Sequence, residues 1–273
     1  MSFHTEPEPQ RARLSEVAPG IRRVVASNAN ASTYWGTNTY LIDGPEGTFV
    51  LDPGPADDQA HFDCILEGLP DQSAGIIISH HHSDHFGAVV KLKAATCLPV
   101  YAHEHFAGDS FCPDVMLKDQ DILAGHLVLH TPGHASDHLC LARADGILFT
   151  GDHVMSWNSS SIMLPDGDMA AYYANLIKLL NRNDNLYLPG HGPPLPSPHS
   201  YVRNLLERRL TREREIVRSL QNGGKTPEEL VILLYRKTDP YLAKAVLWSV
   251  EAHLDKLRKE GKVLAEQGIW LAV

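Results

Sequence analysis

The sequence lacks any long apolar run. No segment approaches the roughly 18 consecutive apolar residues that a membrane-spanning helix needs, so we expect no membrane partner. The first 14 residues contain no apolar stretch of the kind found in secretory signals, and their two glutamates disfavour a mitochondrial transit peptide. We therefore expect a cytoplasmic protein.

Cysteine is scarce as well. The chain has four cysteines, Cys64, Cys97, Cys112 and Cys140, and no two of them show C-x-x-C spacing. This pattern argues against a disulfide framework and against a cysteine metal site. We expect four small, mostly buried thiols.

Positive charge is in short supply over most of the chain. Residues 1–198 contain 10 Lys and Arg against 23 Asp and Glu, whereas residues 199–273 contain 14 against 10. The acidic first part disfavours non-specific binding of nucleic acid, and the basic tail keeps such a role open.

The length of 273 residues indicates one large domain, or a large and a small one.

Histidine, by contrast, is abundant, and four ligand-type side chains stand together in one short segment. The apolar segment 76–79 is followed at once by His80, His82, Asp84 and His85. Neutral imidazoles and carboxylates are ligands that zinc and similar ions accept. In a tight turn, the first two residues can face one ion and the last two a second ion about 3.5–4 Å away. The pattern predicts a metal site with two ions.

The same arrangement recurs three times farther along the chain. Predicted strands end shortly before His134, Asp152 and His191, and each turn contains glycine. Side chains at neighbouring strand ends of one sheet can converge on a common point. These three residues are therefore candidates for the same metal site.

The periodicity of the first part indicates strands that precede helices. β-like segments at 21–26, 38–42 and 48–51, separated by turn residues, predict an antiparallel meander. The patterns at 60–69 and 86–95 predict helices.

The composition changes near Pro198, where four prolines between 193 and 198 predict a stiff linker. Beyond it, the apolar stripe of 199–220 predicts a long helix. Thr226 to Glu229 form a capping box that starts a second helix, and a third runs from about 241 to 259. A hairpin over 262–271 follows. We predict a first domain over 15–197 and a winged-helix-like domain over 198–273.

Residues 17–197 resemble the metallo-β-lactamase-fold hydrolases. The resemblance is carried by seven residues in the family's order: His80, His82, Asp84, His85, His134, Asp152 and His191. The tail, with TPEELV, SVEAHLDKLRKEGKV and GIWL, resembles the winged-helix tail of the β-lactamase-like protein 2 group. The resemblance implies an α/β (α+β) fold, a four-layer αββα metallo-β-lactamase sandwich with a small C-terminal winged-helix-like domain.

The resemblance also implies a role for each of these residues. The ligands fall into two groups: His80, His82 and His134 for the first ion, and Asp84, His85 and His191 for the second, with Asp152 as a bridge. Asp52 matches an aspartate that supports the ligand turn. The two divalent ions would be zinc, with iron or manganese as alternatives. His153 stands where relatives often have a small or apolar residue, and whether it orients substrate or packs stays open.

The mechanism that follows uses a hydroxide bridging the metals. Two ions lower the pKa of a shared water to about 7, and the hydroxide then attacks a carbonyl carbon or a phosphorus atom. Asp84 is the best-placed residue to manage the proton of that water. The segment 156–161, with Trp157 and Asn158 beside His153, is a candidate substrate loop.

The substrate is not decided by these residues. We expect a small ester, thioester or lactone, because the first part of the chain is acidic. The alternative is an endoribonuclease acting on single-stranded RNA, because some relatives with this tail cut RNA. The arginines of 208–214 alternate with glutamates, which predicts a paired, solvated helix face. Tyr172 and Tyr173 are read as core rather than as base-stacking residues, and a homo-oligomer stays open.

Overall fold

The computed structural model describes residues 6–109, 111–235 and 243–273, which form two compact units. The first unit consists of the described residues of Met1–Thr131, Ser136–Ser160 and Asn183–Pro198. The second consists of those of Pro132–Ala135, Ser161–Arg182 and His199–Val273. Within the described ranges, no helix combines the length and the apolar character that crossing a membrane requires.

The first unit contains a seven-stranded sheet whose strands lie side by side in chain order. Its strands are β1 (Ser15–Ala18), β2 (Ile21–Val25), β3 (Asn38–Gly44), β4 (Gly47–Leu51), β5 (Ser73–Ile77), β6 (Val100–His103) and β7 (Val115–Leu117). Strands β1 to β4 pair antiparallel, which confirms the predicted meander, and β4 to β7 pair parallel.

The first unit also contains a six-stranded sheet, with the strand order β13-β12-β11-β10-β9-β8. Its strands are β8 (Ile122–Leu123), β9 (His126–His130), β10 (Leu139–Ala142), β11 (Ile147–Gly151), β12 (Leu186–Pro189) and β13 (Leu195–Pro196). Because β10 is antiparallel to both β9 and β11, and β12 is parallel to β11, three strands end at one edge. The turns before His134, Asp152 and His191 leave from that edge.

Apolar side chains fill the space between the two sheets. Tyr40 and Phe49 of the first sheet pack with Phe149 and Leu188 of the second in one buried cluster. The opposite face of the first sheet is covered by α1 (Gln59–Gly68) and α3 (Val89–Thr96). Both faces of the first sheet are therefore buried, one against the second sheet and the other against the two helices.

The helix predicted over 86–95 is interrupted in the structure. A short helix, α2 (Ser83–Phe86), carries part of the histidine motif and is separate from α3. The break occurs because the backbone N–H of Ala88 donates to the carbonyl of Gly54, 2.9 Å away, instead of to a carbonyl of the same helix. The prediction of one continuous helix is therefore wrong over its first residues.

The second unit is mostly helical. Its elements are α4 (Met169–Leu180), α5 (His199–Gln221), α6 (Pro227–Leu234), α7 (Ala243–Lys259), β14 (Val263–Glu266) and β15 (Ile269–Ala272). Thr226 and Glu229 form the predicted capping box at the start of α6. Ile216, Leu230 and Leu254 share a buried core. Three helices and a hairpin confirm the winged-helix-like tail, although the predicted start of α7 near 241 lies outside the described residues.

The expectation of mostly buried thiols is wrong. Cys140 is buried in β10, but Cys64 is only partly buried, and Cys97 and Cys112 are exposed. Cys97 follows the last turn of α3 in the left-handed conformation, with a φ of +57°, and it is exposed there.

Candidate metal centre

Asp52 holds the turn that follows β5. Its carboxylate accepts hydrogen bonds from the backbone N–H of Ser79 at 2.7 Å, from Ser79 Oγ at 2.7 Å and from His85 Nδ1 at 2.9 Å. Asp52 is buried, and its φ of +55° turns the chain sharply after β4. The carboxylate therefore fixes the shape of the turn and the orientation of one imidazole within it.

Three of the histidines have an acceptor beside Nδ1, which directs their Nε2 atoms toward a common centre. His80 Nδ1 lies 2.9 Å from Ser79 Oγ, His85 Nδ1 contacts Asp52, and His191 Nδ1 lies 3.2 Å from the carbonyl of Gly36. A histidine that donates from Nδ1 keeps the lone pair on Nε2 for a metal ion. These partners fix the tautomer that a metal ligand needs.

Nitrogen and oxygen atoms converge opposite these partners. His191 Nε2 lies 3.3 Å from Asp84 Oδ2, 3.4 Å from Asp152 Oδ2 and 3.3 Å from His85 Nε2. His85 Nε2 is also 3.5 Å from Asp152 Oδ1. On the other side of the turn, His80 Nε2 lies 3.0 Å from Nδ1 of His82.

Two groups of three in this unit bring their ligand atoms within 4.8 Å of one another. They are His80, His85 and Asp152, and Asp84, His85 and His191. Imidazole and carboxylate donors at this spacing fit divalent zinc, iron or manganese.

The electrostatics of the cluster favour added positive charge. Burial lowers the pKa of His191, but the carboxylates of Asp152 and Asp84 outweigh it and raise the pKa to about 9. Burial likewise lowers the pKa of His85, and the same carboxylates with Asp52 raise it well above 6.5. Burial raises the pKa of Asp152, yet His191 and His85 hold it well below 3.8. The carboxylates stay ionised and favour protons on the two imidazoles, and a divalent ion bound there would replace those protons.

Gly190 lies directly against the cluster, where there is no room for a side chain. A Cβ atom at this position would lie 2.6 Å from Asp152 Oδ1 and 2.7 Å from His85 Cε1. Glycine immediately before His191 therefore lets the backbone approach the two other ligand-type side chains.

Two buried residues that sequence reasoning missed hold the ligand loops. His138 Nε2 accepts a hydrogen bond from the backbone N–H of Asp152 at 3.1 Å, and its Nδ1 lies 2.9 Å from Thr131 Oγ1. Asn38 Nδ2 donates to the carbonyls of Pro189 and Gly192, each at 2.8 Å. Asn38 and the His191 loop are 151 or more residues apart, so no local pattern could have indicated the contact.

His134 belongs to the second unit. It is 5% exposed, and its Nδ1 lies 2.6 Å from the carbonyl oxygen of Ser161. Like His80, His85 and His191, it therefore has an acceptor for Nδ1.

The predicted substrate loop divides into buried and accessible parts. His153 is fully buried, with its ring centroid 6.0 Å from that of His138, and this burial favours packing over substrate contact. Asn158 is exposed and Trp157 partly exposed. Trp157 stacks on Tyr34 with centroids 4.8 Å apart, and Tyr34 stacks on Trp35 at 4.9 Å.

Comparison with known proteins agrees with this geometry. Residues 32–111 match the family model of the metallo-β-lactamase superfamily, and residues 226–270 match that of the β-lactamase associated winged helix domain. The chain is therefore similar to the hydrolases of the metallo-β-lactamase superfamily.

The curated relatives include β-lactamase-like proteins and thioesterases. The β-lactamase-like protein 2 homolog of Drosophila melanogaster is 28% identical over 272 residues, 92% of this chain and 91% of that protein. An atrochrysone carboxyl ACP thioesterase of Claviceps purpurea is 26% identical over 254 residues, 86% of this chain and 78% of that protein. The predicted resemblance to the β-lactamase-like protein 2 group is confirmed.

The fold is shared with a solved structure over nearly the whole chain. The crystal structure of a β-lactamase domain protein from Burkholderia ambifaria superposes with a TM-score of 0.83, at 20% identity, covering 98% of this chain and 96% of that one. The predicted fold class, an αββα sandwich with a small winged-helix domain, is confirmed.

Proposed function

We propose that this hydrolase binds two divalent metal ions and cleaves a small ester, with thioesters and lactones as the leading classes. The observation that carries the proposal is that His85 and His191 have engaged Nδ1 atoms and turn their Nε2 atoms toward the carboxylates of Asp84 and Asp152. Zinc is the ion we expect, with iron and manganese as alternatives.

The ligands divide between the ions as the family resemblance implies. The two sets are His80, His82 and His134 for the first ion, and Asp84, His85 and His191 for the second, with Asp152 between them. Asp52 acts on the site through Ser79 and His85, whose orientation it fixes. We propose residues 15–197 as the catalytic domain and 198–273 as the winged-helix domain.

When bound, the two ions lower the pKa of a water molecule and stabilise negative charge that develops on the substrate. Asp84 has its Oδ2 within 3.3 Å of His191 Nε2, and its side chain is 30% exposed. Burial raises the pKa of Asp84, but His85 and His191 lower it far more, so the carboxylate is ionised at neutral pH. We assign Asp84 to the proton of the attacking water because of its position beside His191 and its partial exposure, and not because of its basicity. Trp157 and Asn158, outside the metal ligands, are the residues we place against the substrate.

A thioester is the substrate that the relatives support best. The thioesterase from Claviceps purpurea acts on an ACP thioester by name, and this chain matches most of its length. The excess of acidic residues before position 199 also disfavours a polyanionic substrate. We expect the enzyme to meet its small-molecule substrate in the cytoplasm.

Cleavage of RNA has less support. Arg212 pairs with Glu215 at 2.9 Å, and Arg214 pairs with Glu207 at 2.7 Å, as the alternation of charges predicted. Tyr172 and Tyr173 are buried in α4 and cannot stack on bases. A nucleic-acid enzyme would use unpaired cations and accessible rings instead.

The proposal is tested by a parallel assay of zinc-loaded protein on acyl thioesters, lactones, a cephalosporin and single-stranded RNA. We expect turnover of a thioester or lactone to exceed that of the cephalosporin and of RNA. Asp152→Ala should abolish this turnover, because the bridging carboxylate is lost. Faster cleavage of RNA, or full turnover by the variant, would contradict the proposal.

A further inference from the structure

The turn that presents His134 lies against α4. The backbone N–H of Asp168 donates to the carbonyl of Gly133 at 2.9 Å, and Asn175 Nδ2 donates to the carbonyl of Pro132 at 2.8 Å. Gly133 has a φ of +141°, and a Cβ atom there would lie 2.5 Å from the Cα of Tyr172. The turn is thus docked closely on the first two turns of this helix.

Helix α4 in turn packs on the helices of the tail. Tyr173 OH lies 3.3 Å from His253 Nδ1 of α7, and the Lys256 ammonium lies 5.1 Å from the centre of the Tyr173 ring. His253 is fully buried. At the start of α4, Lys259 Nζ donates to Asp168 Oδ2 at 3.1 Å. These contacts connect α7 to the same helix that carries the turn.

We propose that the tail serves the metal centre by holding α4, and that Asn175 is a positioning residue for the His134 turn. The inference rests on the proposed role of His134 as a ligand of the first ion. Asn175 is 9% exposed, so its bond to Pro132 is shielded from water. Without this donor the carbonyl of Pro132 loses its partner, and the turn is held on α4 only by the Asp168–Gly133 bond and by packing on Tyr172.

The test uses the full chain, zinc and a competing chelator. We expect Asn175→Ala to weaken the binding of one of the two zinc ions about tenfold. This is the low end of the ~10–100-fold range for direct partners of a metal ligand, because Asn175 bonds the backbone of the turn and not the His134 imidazole. Asn175→Asp, which has nearly the same size but no donor, should behave alike. Asn181→Ala is the matched control, because Asn181 is an exposed asparagine at the end of the same helix. It should bind both ions as the unaltered chain does.

His134→Ala distinguishes a failure of this inference from a failure of the proposed metal site. If it loses one ion while both Asn175 variants bind zinc as the unaltered protein does, the inference is wrong and the proposed metal site stands. If it keeps both ions at full affinity, the ligand assignment itself fails. If Asn175→Ala lowers the affinity for both ions equally, the cause is a general loss of structure, and the inference is overturned as well.

Hydrogen exchange tests the part played by the tail. The Asp168 amide reports on docking, because it is bonded to Gly133. In His253→Ala, which removes a buried side chain behind Tyr173, we expect faster exchange at Asp168 and unchanged exchange in β2 and β3. Unchanged exchange at Asp168 would show that the tail does not hold the turn.

Discussion

Replacing Asp52 by asparagine should uncouple the metal centre from its support with little change in shape. Asparagine tolerates the φ of +55° at this position, and one oxygen can still accept from the backbone of Ser79. The other oxygen becomes an amide nitrogen. It would then face two former donors, Ser79 Oγ and His85 Nδ1.

The expected magnitude follows from those two bonds. A hydrogen bond to a charged group contributes about 1.5–3 kcal/mol, and the Ser79 hydroxyl can rotate to accept from the new amide. Losing the His85 bond alone should therefore lower the free energy of unfolding of the metal-free protein by roughly 1.5–3 kcal/mol. The imidazole of His85 can relieve the clash only by accepting at Nδ1, which puts its proton on Nε2. That tautomer cannot bind a metal, so we expect zinc affinity to fall about 10–100-fold.

The assay combines urea unfolding of the metal-free protein with zinc competition against a chelator. Asp43→Asn is the matched control, because Asp43 also accepts a hydroxyl hydrogen bond, from Thr48 Oγ1 at 2.8 Å, but is 52% exposed. The control should change stability by less than about 1 kcal/mol and leave zinc binding unaltered. If Asp52→Asn binds zinc as tightly as the control does, Asp52 does not set the tautomer of His85.

Three further predictions concern metal content, a buried cation and acid stability. Metal analysis should find close to two transition-metal ions per chain in well-loaded protein, and fewer than about half an ion would contradict a dimetal centre. Glu6→Gln should destabilise the fold by about 3 kcal/mol in urea unfolding, because Arg23, only 2% exposed, loses its carboxylate partner at 2.7 Å. Glu8→Gln, at an exposed pair with Arg11, is its control, and equal effects would argue against a buried charge. Burial, opposed by Asp58, lowers the pKa of His61 to about 4. The unfolded chain therefore takes up a proton first as the pH falls. Stability should decline by roughly 3 kcal/mol between about pH 6.5 and 4, relative to His61→Gln, and parallel pH profiles would refute this.

The sequence predicted the parts of the centre that local chemistry specifies. An apolar strand followed by His80, His82, Asp84 and His85 is a local pattern, and its turn is formed by neighbouring residues. Asp152 and His191 could be added because they also follow strands, and the parallel pairing of β11 and β12 brings those strand ends together. The ligand roles themselves stay predictions.

The supports of the ligands could not be predicted, because they act across the sheets. Asn38 and His138 are single polar residues in strands or turns, with no repeat or spacing that marks them. Their function appears only when β3 meets the His191 loop and when the turn before β10 meets Asp152. Tyr172 and Tyr173 are core residues as expected, but no helix was predicted over the segment that forms α4.

The stack of Trp35, Tyr34 and Trp157 has a practical consequence. Two of the four tryptophans of the chain share one tyrosine as neighbour, and a Cβ atom on Gly192, next to His191, would lie 2.8 Å from the Trp157 ring. Their emission should respond to whatever fills the space beside that imidazole. The protein thus contains its own optical probe, and titrations with metals or substrate analogues need no attached dye.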